Sequence, residues 1–182
     1  MRKIINSTYI SLDGVIENPQ NWHVFDDECA EYAQNLLFSC DALLSGRETY
    51  ASFAEVWPAM EEATGEFGVK MNALDHYVVS DTLTEANWGK STIIRRDDAV
   101  AEIAKLKEQD GENILMYGFG AVSRTLVQNG LLDELRLWIN PVIASGGPGD
   151  TLAQADFKSG MELTDTKILK NGVIIATYKP TS

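Results

Sequence analysis

The chain has 182 residues, 45% of them hydrophobic, which suits one domain with a buried core spanning residues 1–182. Its net charge of −12, with only 15 lysines and arginines scattered along it, argues against a nucleic-acid partner, because neutralising phosphates takes clustered cations. Its apolar runs are far shorter than the roughly 20 residues that cross a bilayer, and MRKIINSTYI opens without a signal-peptide h-region, so no membrane partner and a cytoplasmic location are expected.

Lys3 to Leu12 alternates and is rich in β-branched residues, as a first strand does, and Asp13-Gly14 closes it. Asp26 or Asp27 caps a helix to about Ser39, whose core face is Cys29, Tyr32, Ala33, Leu36 and Leu37. A buried strand follows at Asp41 to Ser45, then a short helix at Arg47 to Phe53. Pro58 to Gly68 reads as a loop with a further helical turn or two. Strands are expected at His76 to Val79 and Ser91 to Arg95, a helix at Asp97 to Glu108, and an apolar strand at Ile114 to Tyr117. After Gly118-Phe119-Gly120 comes a helix, Ala121 to Gln128. The remainder reads as strands: Leu135 to Ile143, Glu162 to Leu169 and Val173 to Lys179, the last two joined through Asn171-Gly172. Strand–helix alternation followed by antiparallel strands implies an α/β fold, mainly parallel, with its ligand site at the carboxyl ends of the parallel strands.

Three stretches carry chemistry. In GRETY, Gly46 lets a ligand approach the backbone, the helix start offers unpaired N–H donors, and Arg47 and Thr49 add a cation and a hydroxyl; these are the parts of a phosphate site, or of a plain turn. In ILMYGFGAVS the turn Gly118-Phe119-Gly120 joins a strand to a helix, as a phosphate cradle or as a tight βα turn. It is not a full G-x-G-x-x-G, since Ser123 holds the last place. The third stretch, ISLDG with WHVFDDE, supplies Asp13, His23, Asp26 and Asp27 as acid/base groups, or as turn and capping residues. Neither His23 nor His76 has metal-ligand spacing, and Cys29 and Cys40 read as free buried thiols, so no metal is expected.

In this order, ISLDGVI, ALLSGRETY, YVVS, ILMYGFGAVSRTLVQNGLLDELRLWINPVI and the closing hairpin resemble the dihydrofolate reductase-like superfamily. The resemblance is closest to the reductase domain of the bifunctional riboflavin-biosynthesis deaminase–reductase. It implies a three-layer α/β/α fold with a mainly parallel central sheet and an antiparallel C-terminal hairpin. It also implies an NADPH-dependent reductase acting on a small heterocyclic substrate, such as 5-amino-6-(5-phosphoribosylamino)uracil. Alternatives on the same fold are dihydrofolate reduction and a non-catalytic nucleotide-binding module.

The cofactor residues the resemblance implies are Gly46, Arg47 and Thr49 on one side of the phosphates and Gly118, Phe119, Gly120, Ala121 and Val122 on the other. Val79 and Ser80 would meet the adenosine part, and Arg95 or Arg96 the 2′-phosphate. Asp13 and Asp27 are placed near the substrate as candidate catalytic groups. The segment ASGGPGDTLAQ after Pro141 and Val142-Ile143 keeps glycines but has no lysine or arginine. A homodimer is expected, mostly from the resemblance; Leu135, Leu137, Ile139 and the tryptophans Trp57, Trp88 and Trp138 serve either an interface or the core.

Overall fold

Parallel strands paired over both faces need apolar side chains on both, and the strand runs of this chain supply them. In the computed structural model, which describes residues 1–153 and 157–181, eight strands form one sheet in the order β4-β3-β2-β5-β1-β6-β8-β7. The strands are β1 (Ile4–Ile10), β2 (Cys40–Gly46), β3 (Asp75–Val79), β4 (Lys90–Ile94), β5 (Asn113–Tyr117), β6 (Glu134–Ile139), β7 (Gly160–Ile168) and β8 (Ile174–Thr181). The helices are α1 (Asp27–Phe38), α2 (Arg47–Val56), α3 (Glu61–Thr64), α4 (Glu66–Ala73), α5 (Ala99–Glu108) and α6 (Ala121–Gln128). Two compact units divide the chain, Met1–Ile4 with Ala33–Met116 and Ile5–Tyr32 with Tyr117–Ser182.

In the first unit β2 pairs parallel with β3 and β5, and β3 pairs parallel with β4. Ala42, Leu43 and Leu44 of β2 and Ile114, Leu115 and Met116 of β5 are consecutive and buried. Helix α5 buries Ala99, Ile103 and Leu106 at the i, i+4, i+7 spacing of a core face. Arg2 is buried; it forms an ion pair with Asp41 and donates from Nε to the Glu112 carbonyl at 2.8 Å. The segment read as loop with a turn or two holds α3 and α4, and α4 runs on to Ala73. Gly65 and Gly68 look like loop punctuation, yet Gly65 turns the chain at φ +58 and Gly68 is where α4 passes close to Glu61.

In the second unit β1 pairs parallel with β6, and β8 pairs antiparallel with both β6 and β7. The strand expected to reach Ile143 stops at Ile139. The ladder makes one more bond, from the Asn140 N–H to the Ile10 carbonyl at 2.8 Å, before Pro141, which has no N–H. The Asn171-Gly172 turn is present, with Gly172 at φ +89 and the Leu169 N–H bonded to the Val173 carbonyl at 2.8 Å. Trp138 is 1% exposed, donates from Nε1 to Ser7 Oγ at 3.0 Å and packs against Tyr9 and Tyr32. Of the residues read as interface or core, Leu135 and Trp138 are thus core, as is Trp88 in the first unit.

One buried group gives the first unit a pH dependence. His76 of β3 is 2% exposed and stacked on Trp88, ring centroids 3.8 Å apart. Neither ring nitrogen has a hydrogen-bond partner among the described residues. Burial pushes its pKa down from 6.5 to about 4, with the Asp75 charge acting in the opposite sense. The folded pKa lies below the unfolded one, so the unfolded chain takes up the proton first as pH falls. Stability from this group is whole above about pH 6.5 and is lost from there down to about pH 4, by at most about 3 kcal/mol. Melting temperature is expected to fall across that window, and the His76→Phe variant, which keeps a ring on Trp88 but cannot titrate, to lose this part of the slope. Identical slopes for the two proteins in thermal melts would mean that His76 is not held neutral.

Candidate active site

The ends of β2, β3 and β4 are in step: Gly46 lies opposite Val79, and Val79 opposite Ile94. Gly46 is the extended residue before α2 (φ −82, ψ 169), and no side chain caps the helix it opens. The first N–H groups of a helix have no intrahelical acceptor, so this start is a donor site. Arg47, the first residue of α2, is half exposed, and its guanidinium meets Glu48, 90% exposed, at 3.4 Å. An exposed pair of this kind is worth about 1 kcal/mol or less and leaves Arg47 able to take an anion. Thr49 lies in the same first turn, and Tyr50 anchors the helix, its hydroxyl bonded to Ser91 Oγ at 2.8 Å and accepting the Trp88 N–H at 2.9 Å.

Past Val79 the chain turns around Ser80. Its buried hydroxyl accepts the N–H groups of Thr82 and Leu83, and its own N–H donates to the Ile94 carbonyl at 2.9 Å. Arg95 donates from Nη1 to the carbonyls of Ser80, Asp81 and Leu83, at 3.1, 2.9 and 3.4 Å. Arg96 forms an ion pair with Asp81 at 3.4 Å. Gly46, Arg47, Thr49, Val79, Ser80 and Arg95 are therefore brought together at one set of strand ends, with Ser80 and Arg95 shaping the turn. The hollow of about 440 Å³ beside Trp88, lined among others by Pro58, Glu61 and Asn72, contains none of them.

In the second unit the Gly118-Phe119-Gly120 turn is fixed from β1. Gly118 has φ +74, which favours glycine, and its N–H donates to the Ser7 carbonyl at 3.1 Å. Its carbonyl accepts from Asn6 Nδ2 at 2.7 Å, and the same Nδ2 reaches Ser123 Oγ at 3.0 Å. The Thr8 hydroxyl donates to Asn6 Oδ1 at 2.7 Å. Asn6, Thr8 and Ser123 are buried. Gly120 precedes α6 with no side-chain cap, and a Cβ at Gly118 or Gly120 would meet nothing within 4 Å. The backbone is thus open to a ligand there, next to Ala121 and Val122. Phe119 is buried, its ring 5.8 Å from that of Phe157. Asn6 and Thr8 do not stand out as motif residues. Their signal is compositional, since three consecutive polar residues, Asn6 to Thr8, occupy a strand buried from Ile4 to Thr8.

Asp13 accepts from the Ser11 hydroxyl at 2.6 Å and from the Ala144 and Ser145 N–H groups at 2.9 and 2.8 Å. These bonds, that of Ser11 first, hold its carboxyl down at about 2, so it is an anion at neutral pH. Asp150 takes the Gly147 N–H at 2.7 Å. The glycine-containing segment after Ile143 therefore gives these three donors to the chain's own carboxylates; its last residue, Gln154, lies outside the described residues. Asp26 caps α1 by accepting the Cys29 N–H at 3.0 Å, which lowers its pKa, while Asp27 is an exposed first-turn residue. His23 bonds through Nδ1 to the Pro19 carbonyl at 2.7 Å. Among the described residues no three His, Cys, Asp or Glu side chains are grouped to hold a metal, and no helix is long and apolar enough to cross a membrane.

The chain is 26% identical to the uncharacterized protein YyaP of Bacillus subtilis, over 97% of this chain and 94% of that one. It superposes on RibD of Acinetobacter baumannii with a TM-score of 0.69 at 15% identity, covering all of this chain and 59% of that longer one. A pyrimidine reductase-like protein of Corynebacterium diphtheriae gives a TM-score of 0.67 at 13% identity, with 100% and 92% covered. At such identities these structures speak for the fold, a mixed α/β sheet with antiparallel C-terminal strands. The family model of the RibD C-terminal domain matches residues 2–175. That span takes in the glycine-led starts of α2 and α6 and every strand as far as the beginning of β8, and by it the chain belongs to the RibD C-terminal domain family.

Proposed function

We propose that this protein is an NADPH-dependent reductase that moves hydride to a pyrimidine- or pteridine-like heterocycle, the chemistry of 5-amino-6-(5-phosphoribosylamino)uracil reduction in riboflavin synthesis. The observation that carries the reading is that the helices following the parallel strands β2 and β5 each start at an uncapped glycine, α2 after Gly46 and α6 after Gly120. Each offers backbone N–H donors and the positive end of a helix dipole to an anion. In a protein of net charge −12, such local donors are how an anionic cofactor is held. Membership of the family and the likeness to a pyrimidine reductase-like protein support the same conclusion.

In this reading the backbone at Gly46, Arg47 and Thr49 and at Gly118 to Val122 binds phosphates, Val79 and Ser80 border the adenosine, and Arg95 or Arg96 faces the 2′-phosphate. NADPH supplies the hydride when bound, and the chain's task is to align donor and acceptor carbons and exclude water. The acceptor also takes up a proton. Asp13, ionised at neutral pH, orders the substrate-side loops rather than giving that proton, which leaves water as its source, reaching the acceptor directly or by way of Asp27. The loop from Pro141 to Thr151 has no lysine or arginine to meet a substrate phosphate. A cytoplasmic homodimer completes the reading, on the strength of the family likeness.

NADPH is expected to raise the melting temperature, since a ligand bound by the native state alone stabilises it. In Arg47→Ala the affinity should drop by about tenfold or more, the worth of a charge-assisted phosphate contact. An unchanged NADPH shift in that variant would remove GRETY from the cofactor site. Gly120→Ala tests the other start. Its φ of −99 suits alanine and its Cβ meets nothing, so stability should change by about 0.5 kcal/mol or less while NADPH affinity falls. Full affinity in Gly120→Ala, measured by calorimetric titration, would show that no ligand approaches the turn there.

A further inference from the structure

We propose that Asn6 is a positioning residue for the anion-binding turn, setting the direction of the Phe119 N–H from a buried strand; the inference rests on the cofactor reading of that turn. The Gly118 carbonyl can only accept, so the donor end of the Asn6 carboxamide must face it, and Oδ1 is left for the Thr8 hydroxyl. The polarity of the whole chain of bonds, Thr8 to Asn6 to Gly118 and Ser123, is thereby fixed.

The consequence for the turn follows from the trans peptide. In a planar trans unit the C=O of one residue and the N–H of the next point in opposite directions. Asn6 draws the Gly118 carbonyl toward β1, and with no cis bond among the described residues the Phe119 N–H is turned the other way. The Gly118 N–H is meanwhile spent on the Ser7 carbonyl, so both polar groups of Gly118 are anchored to β1. Phe119 can then keep its ring buried against Phe157 while its N–H faces away from the strand. Nothing else in the turn holds the carbonyl as closely, the Ser123 hydroxyl lying 3.4 Å from it. Without Asn6 the Gly118–Phe119 peptide is free to rotate, glycine's tolerance of φ and ψ allowing it, and the donors lose their common direction.

The test compares NADPH dissociation constants of the wild type, Asn6→Ala and Thr8→Val at a temperature where circular dichroism shows each folded. Ile103→Val, a remote buried substitution in α5, serves as the control for lost stability. Asn6→Ala is expected to weaken NADPH binding by about tenfold or more, the cost of a buried donor lost and a carbonyl left unpaired. Thr8→Val, which frees Asn6 to rotate, should weaken it several-fold, and Ile103→Val should leave it unchanged. Should Asn6→Ala fail to fold, Thr8→Val decides alone. Binding within twofold of wild type in Asn6→Ala, or in Thr8→Val where it stands alone, overturns the positioning role while the cofactor reading survives. A wild type that does not bind NADPH overturns both.

Discussion

Parallel pairing is the constraint on which the site depends. A parallel strand cannot be reached by a two-residue turn; the chain must cross back over the sheet, and each crossing leaves a strand end and a helix start on the same edge. In the first unit the register puts Gly46, Val79 and Ile94 level, so the groups following β2, β3 and β4 meet without any long-range motif to gather them. In the second, β1 runs parallel to β6 and supplies from its own polar face the contacts that hold Gly118. The parallel strands β2 and β5 are each followed by a helix that an uncapped glycine opens, Gly46 before α2 and Gly120 before α6.

In the proposed function, such a site compensates for an unfavourable overall charge. The protein carries 27 carboxylates against 15 cations, and a long-range field of that sign repels an anionic cofactor. Backbone donors act over a few ångströms and add no net charge. The carboxylates near the chain turns are themselves tied up: Asp13, Asp26 and Asp150 accept backbone N–H bonds, and in Asp13 and Asp26 these bonds lower the pKa.

Much of the fold was legible because periodicity and punctuation agreed. The apolar run before Gly118, the alternation of β1 and the Asn-Gly turn each specify one element, and those elements stand within a few residues of where the pattern puts them. Helix α4 was obscured because its glycines serve close packing and a left-handed turn, which composition cannot distinguish from loop. The end of β6 needed knowledge of pairing, since Ile139 and Ile143 look alike until Pro141 is placed against its neighbour. At the candidate site, the glycines and Arg47 stand out in the sequence as motif residues, whereas the role proposed for Asn6 works through the geometry of a strand far from the turn in sequence. Asp13 shows the converse. An Asp before Gly is a turn residue and a candidate acid alike, and only its three hydrogen bonds and its lowered pKa distinguish the roles.

The central claim is that the glycine-led helix starts of α2 and α6 hold the cofactor's phosphates through backbone N–H groups. Amide hydrogen exchange with and without saturating NADPH reads those groups directly. The account predicts slowed exchange at Arg47 to Thr49 and at Phe119 to Val122. Bound NADPH that leaves both stretches exchanging as in the free protein would contradict it.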